Sequence, residues 1–159
     1  MIFITTGTQE PFDRLIETMD DIAGQYPDVH FVVQAFHSHY KAKNFEVLEF
    51  LSAADFSDYM DKAELIISHA GMGTIISALV DSKPIIVMPR LLKHNEHRNE
   101  HQLATARKFE AMGYLNVAYD EDELKDKFKN LWPHNVKPLH KIGGTASDQL
   151  IDSLRTFIK

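Results

Sequence analysis

The sequence contains no cysteine, which excludes disulfides and thiol nucleophiles. It has no apolar run near the roughly 18 residues that a bilayer-spanning helix needs. No basic segment followed by a long apolar one opens the chain, so MIFITTGTQE reads as a strand and not as a signal peptide. Basic residues are outnumbered, 17 Lys and Arg against 23 Asp and Glu, for a net charge of −6. That balance argues against a dedicated nucleic-acid binder. Internal repeats and low-complexity segments are lacking, as is a Walker phosphate loop, which disfavours a kinase. These absences leave a cytoplasmic protein without an anchor of its own as the expectation.

What is present is a chain of 159 residues, 44% hydrophobic and 25% charged, read as a single domain over 1–159. A chain of this size buries roughly 70% of its unfolded surface, enough for a sizeable core. Short apolar runs alternate with amphipathic, helix-length segments. Strands are expected at Ile2–Thr5, Val29–Gln34, Phe45–Phe50, Glu64–Ser68, Pro84–Pro89 and Tyr114–Tyr119. Helices are expected from Pro11 to Gln25, in FSDYMDKA, from Thr74 to Asp81, from Asn95 to Met112, from Asp120 to Trp132, and from Ser147 to about Phe157. In the first of these, Phe12, Leu15, Ile16, Met19 and Ile22 fall on one face. Alternating strand and helix implies parallel βαβ units. The runs IFIT, LIIS and IIVM are almost wholly apolar, as strands covered on both faces should be. The fold expected is an open, Rossmann-like, doubly wound α/β sheet of about six strands.

Such sheets bind ligands beyond the carboxyl ends of their strands. Three segments should meet there: TTGTQEPF after the first strand, HAGMGT after the fourth and RLLKHNEHRNEHQ after the fifth. The first two are small and hydroxylated, and each leads into a helix N-terminus, which favours anions. Gly7, Gly71 and Gly73 allow close backbone approach, and Thr8 and Thr74 can donate hydrogen bonds to phosphate oxygens. The third holds three histidines, two asparagines, two glutamates and a glutamine, suited to hydroxyl groups. A diphosphate beside a polyol describes a nucleotide sugar. The purely steric alternative, glycines that merely turn the chain after a strand, remains open at this level. GMGTII also matches the start of a dinucleotide fingerprint, but Ile76 stands at the third glycine position.

The stretch SHAGMGTIISALVDSKPIIVMPRLLKHNEHRNEHQLATA resembles the donor-binding motif of GT-B glycosyltransferases of family 28. MIFITTGTQEPFDRLIETMD resembles the opening of that family's short, split members, the catalytic subunits found in capsular and exopolysaccharide synthesis and in the dolichol-linked N-acetylglucosaminyltransferase. The resemblance runs from Met1 to about Tyr119. It implies a domain equivalent to the C-terminal half of a GT-B enzyme, with a UDP-sugar as donor and no required cofactor. It places Gly7 and Thr8, and the run His69, Ala70, Gly71, Met72, Gly73 and Thr74, on the diphosphate. Glu100, His101 and Gln102 match the donor-sugar segment, and Phe50 and Leu51 the place where uracil packs. Ser77 stands where many relatives carry an acidic residue for the ribose hydroxyls, so a bidentate ribose contact is lost.

The resemblance further implies that the acceptor half is supplied by a separate, membrane-anchored subunit, which recruits this chain to the cytoplasmic face of a membrane. The acceptor would be a lipid-linked saccharide, and the reaction an inverting hexosyl transfer in surface polysaccharide synthesis. A non-catalytic nucleotide-sugar-binding or regulatory subunit is the alternative. The base that takes the acceptor proton is on the partner or on this chain, where Glu10, His37, His39 and His94 qualify by chemistry alone. His97 and His101 are spaced i, i+4 on one face of the helix expected from Asn95 to Met112, with His94 one turn earlier, a spacing that could bind zinc; no HExxH pattern accompanies them, and a polar sugar-binding face without a metal is the expectation.

Overall fold

A computed structural model describes residues 1–145. The elements in order are β1 (Ile2–Thr5), α1 (Asp13–Ala23), β2 (Phe31–Gln34), β3 (Val47–Leu48), α2 (Ala53–Lys62), β4 (Leu65–His69), α3 (Met72–Val80), β5 (Ile85–Met88), a 3-10 turn (Leu92–His94), α4 (His101–Ala111), β6 (Asn116–Val117) and α5 (Glu121–Leu131). The helix expected from Ser147 lies outside the described residues.

All strand pairs are parallel, in the order β3-β2-β1-β4-β5-β6. This is the doubly wound arrangement the alternation predicts. The chain winds outward in opposite directions from β1, whose neighbours are β2 and β4. The loops that leave β1 and β4 therefore diverge and open a crevice between them.

Side chains along the strands alternate between two cores, as the two-residue period requires. Ile2, Ile4, Leu65, Ile67, Ile86 and Met88 pack with Leu15, Ile16 and Met19 of α1 and Leu124 and Phe128 of α5. Phe3, Ile66, Ile85 and Val87 pack on the other face with Met60 of α2, Ile75, Ala78 and Leu79 of α3, and Ala106 of α4. Caps set several boundaries. The side chain of Ser52 accepts from the Asp55 N–H at 3.1 Å to begin α2, and that of Asp120 accepts from the Glu123 N–H at 2.8 Å to begin α5. Gly113, with φ +74, ends α4 in the left-handed conformation expected at that position.

Several boundaries depart from expectation. The edge strands β3 and β6 are two residues each and not six, because each has a ladder on one side only. Helix α3 starts at Met72, two residues before Thr74, with Gly71 as its N-cap. The helix expected from Asn95 begins only at His101. The reason is competition from side chains. Glu96 accepts from the Leu91 N–H and Glu100 from the Leu92 N–H, both at 3.0 Å, while Asn95 adopts φ +55. These bonds curl the segment back on itself before a helix can start.

Candidate functional site

The loops after β1, β4 and β5 enclose a cleft of about 380 Å³. Its walls include Gly7, Thr8 and Glu10 from the first loop, His69, Gly71, Gly73 and Thr74 from the second, and Arg90, His97 and Gln102 from the third. A second lobe of about 320 Å³ is lined by Gln34, Leu51, Phe56 and Ser77. Gly7, Thr8, Gly73 and Thr74 border both lobes and form the ridge between them. The site is thus one polar chamber and one partly apolar chamber, joined across two glycine loops. The N-terminus of α3 ends on that ridge. Its first-turn N–H groups have no helical acceptors, and the helix dipole adds positive potential.

The first chamber is built around His69. The Arg90 backbone N–H donates to Gln102 Oε1 at 3.2 Å, which fixes the orientation of the Gln102 amide. Gln102 Nε2 then donates to His69 Nδ1 at 3.1 Å, and Arg90 Nη1 donates to the same atom at 2.9 Å. Nδ1 is therefore an acceptor, and the proton of the neutral ring sits on Nε2. The ring lies against Gly7 and Gly71. A Cβ on Gly71 would stand 2.1 Å from His69 Cε1, and one on Gly7 2.9 Å from Nε2. The two glycines are required by the imidazole that fills the space a side chain would take. Gly7 also has φ +77.

Burial, the positive charge of Arg90 and, more weakly, His97 hold the His69 pKa down at about 3, although the Gln102 bond acts the other way. A histidine whose folded pKa lies below its ordinary 6.5 binds fewer protons folded than unfolded over the interval between. Its contribution to stability is complete above about pH 6.5 and is lost as the pH falls toward 3. Between pH 7 and pH 5, wild-type unfolding free energy should fall by roughly 2 kcal/mol more than that of a His69→Gln variant. Urea titrations at the two pH values check this; equal slopes would mean that His69 titrates as an ordinary histidine.

The third loop is tied down from α1. Arg14 grips Glu96 with two parallel bonds, Nε to Oε1 at 2.7 Å and Nη2 to Oε2 at 2.9 Å, and Nη2 also donates to the Pro89 carbonyl at 3.2 Å. Both side chains are about nine-tenths buried. Paired bonds of this kind are among the stronger polar contacts in proteins.

The sequence profile of the glycosyltransferase family 28 C-terminal domain matches residues 1–152. The chain belongs to this family. Among curated relatives, the UDP-N-acetylglucosamine transferase subunit ALG13 of Candida albicans is 33% identical over 91 residues, 57% of this chain and 29% of that protein. The protein of the same name from Yarrowia lipolytica is 27% identical over 137 residues, 78% of this chain and 67% of that protein. The chain thus spans between about a third and two thirds of the length of these relatives. Among solved structures, Acinetobacter baumannii MurG superimposes with a TM-score of 0.62 at 15% identity, covering 98% of this chain and 49% of that one. The fold corresponds to the C-terminal half of a GT-B glycosyltransferase, as the central motif implied.

Within this family fold, most of the expected ligand residues converge. Gly7, Thr8, His69, Gly71, Gly73, Thr74 and Gln102 line the polar chamber, and Leu51 and Ser77 line the second. Others fall elsewhere. Phe50 is 74% exposed and lines neither chamber, and Met72 points away on the exposed side of α3. Glu100 and His101 lie outside the cleft because the turn before α4 directs the Glu100 carboxylate back to Leu92. Gln102 reaches the wall, but with its amide already engaged by Arg90 and His69.

Of the four candidate bases, Glu10 alone is on the cleft wall. His37 and His39 line a separate depression beside β2 and β3, where His37 Nδ1 meets Glu49 at 2.8 Å and His39 Nδ1 meets Asp13 at 3.2 Å. His94 lies in a third hollow with Arg14 and Glu96. His97 and His101 do not share a helix turn, since α4 starts at His101, and no group of three His, Asp or Glu among the described residues is arranged to hold a metal ion.

Arg90, Gln34 and Phe56 carry no expectation from sequence, and His97 only that of a zinc ligand. Arg90 had a readable signal: it stands two residues past the end of β5, at the ligand-binding rim. Gln34 had the same kind of signal, as the polar last residue of β2 at that rim, whereas Phe56 had none, because the helix pattern marks it as an ordinary core position. Among the described residues, no helix is long and apolar enough to cross a membrane.

Proposed function

We propose that this chain is the donor-binding, catalytic subunit of a UDP-sugar-dependent inverting hexosyltransferase that works with a membrane-anchored, acceptor-binding partner at the cytoplasmic face of a membrane. The observation that carries the reading is the two-chambered cleft. One chamber offers helix-terminal N–H groups and a neutral imidazole N–H to a diphosphate; the other offers Leu51, Phe56 and Ser77 to a nucleoside. The relatives' name supports a subunit role and makes UDP-N-acetylglucosamine the first donor to test. The lipid-linked acceptor and the surface-polysaccharide setting follow from the motif's resemblance to split family members.

In the reaction, an acceptor hydroxyl attacks the anomeric carbon while the bond to the diphosphate oxygen breaks, and its electron pair leaves with UDP. Charge grows on the diphosphate as this happens. Donors already aimed at it lower the barrier because they need no reorganisation. The base that takes the hydroxyl proton is Glu10 or a group of the partner. His69 is excluded from that role, since its Nδ1 is occupied and its Nε2 carries the proton.

Calorimetry with the purified chain tests the reading. UDP should bind saturably, uridine at least about tenfold more weakly, and one UDP-sugar at least as well as UDP. Titrating UDP-N-acetylglucosamine, UDP-glucose, UDP-galactose and UDP-glucuronate identifies the donor. No heat with any of them at millimolar concentration would defeat the proposal.

A further inference from the structure

Arg90 is the least accounted-for charge in the molecule. It is 3% exposed and lies at the base of the polar chamber. Its guanidinium bonds only to neutral groups: His69 Nδ1, the Thr6 carbonyl at 2.7 Å and the Glu10 carbonyl. The Phe12 ring lies 5.0 Å below it. Among the described residues, Arg90 Nε has no partner, and neither does the neighbouring buried hydroxyl of Thr6. Glu96 and Glu10 favour its charge through space, but among the described residues no carboxylate bonds it, and a buried cation without a bonded counter-ion is costly unless something else supplies negative charge. Burial lowers its pKa to about 10, so it remains charged at neutral pH.

The three bonds tie three parts of the site together, counting the segment that carries Arg90. Thr6 and Glu10 bracket the first glycine loop, His69 ends β4, and Arg90 itself follows β5. One side chain therefore sets the spacing of the walls. It also sets the tautomer of His69, directly through Nη1 and indirectly through its own backbone N–H, which aligns the Gln102 amide.

We infer that Arg90 is a positioning residue of the diphosphate chamber: it holds His69 as the Nε2–H tautomer facing the ligand and places a buried positive charge behind the anion. The tautomer stands on the protein's own contacts; the anion part rests on the proposed function. In this arrangement the ligand's diphosphate completes the counter-charge that Glu96 and Glu10 supply only from a distance. An apo protein keeps the cation under-compensated, and donor binding relieves it.

Imidazole ¹⁵N NMR of the wild-type protein gives the first test, and it needs no variant. His69 should show a protonated Nε2 and an unprotonated Nδ1 throughout pH 5 to 8. A protonated Nδ1, or titration near pH 6.5, would overturn the inference. The second test compares Arg90→Met and Arg90→Lys with wild type, after their amide spectra show the native fold. In Arg90→Met the His69 ring should titrate at higher pH, and UDP affinity should fall roughly 10- to 100-fold while uridine affinity changes less than about threefold. Arg90→Lys keeps the charge and loses the fork, so it should recover part of the UDP affinity. Parallel losses for UDP and uridine would indicate a purely structural role and overturn the anion part, as would unchanged UDP affinity. If the wild type binds no UDP, the proposed function fails, and the imidazole spectra still decide the assignment to His69. If neither variant folds, the wild-type spectra decide that assignment, and wild-type affinity for UDP no greater than that for uridine would overturn the anion part.

Discussion

A Gly73→Asp variant should fold as the wild type does and bind UDP about 100-fold more weakly. Gly73 is the second residue of α3 and borders both chambers of the cleft. A Cβ built on it meets nothing within 4 Å, so a side chain is accepted without a clash. An aspartate in the first turn of a helix is favoured by the dipole, and replacing glycine removes chain entropy from the unfolded state. Stability should therefore hold or rise slightly. Binding is a different matter. The new carboxylate would occupy the ridge where the diphosphate is proposed to lie and would satisfy the same N–H groups. Like charges about 4 Å apart repel by about 4 kcal/mol at the effective dielectric typical near a protein surface. A hundredfold loss corresponds to less than that. Gly73→Ser, of similar size and no charge, should retain most of the affinity. Calorimetry on both variants checks the pair. Equal UDP affinity in Gly73→Asp would move the diphosphate off α3. The neighbouring position behaves oppositely: Gly71→Ala should destabilise the protein by displacing His69, whose Cε1 stands 2.1 Å from the added carbon.

The contrast between these two glycines shows where sequence reading stops. HAGMGT marks both as places of close backbone approach, and both border the cleft. Only the structure shows that Gly71 makes room for an imidazole, whereas the space beside Gly73 is open. The alternation of IFIT, LIIS and IIVM with amphipathic helices was legible because buried parallel strands leave a strong compositional trace. The rim residues were legible because parallel topology fixes where the carboxyl ends lie. The segment Asn95–Glu100 was not. Its periodicity reads as helix, and what breaks it is a set of side-chain-to-backbone bonds from Glu96 and Glu100, along with the grip of Arg14, a residue 82 positions earlier than its partner Glu96. Arg90 was visible as a rim residue, but its weight comes from burial and from its bonds to the first loop and to His69 at the end of β4, which no local pattern carries. The same holds for Asp20. Burial works to raise its pKa, yet backbone N–H groups of Asn44 and Lys43 and the Tyr40 hydroxyl keep it ionised below the usual range and anchor the 40–44 segment to α1.

Sugar transfer to a lipid-linked acceptor should proceed at least about 1,000-fold faster with the membrane-anchored partner than with this chain alone, whereas donor binding should be nearly independent of it. Positioning two reactants at attack distance is worth several powers of ten in rate, and a half-site that holds one substrate forgoes that factor. The described residues build the cleft proposed for the donor. The other two histidine-bearing depressions lie on separate parts of the surface, and of the candidate bases only Glu10 lines that cleft. Arg90 holds Glu10 by its backbone carbonyl. The acceptor therefore needs a second surface to orient its hydroxyl, and the relatives' designation as a subunit accords with one supplied in trans. Mass spectrometry of the lipid-linked product, with the chain alone and with membranes carrying the partner, measures the ratio. The isolated chain should show donor binding and at most slow hydrolysis of the UDP-sugar, because the cleft stays open to water. Glu10→Gln separates the two sources of the base: transfer by the complex falls by about two orders of magnitude if Glu10 takes the proton and changes little if the partner does. Efficient transfer by the purified chain with a detergent-dispersed acceptor would defeat the half-site reading. It would place the acceptor on this domain, with the depression lined by His37, Ser38, His39 and Tyr40 as the surface to mutate next.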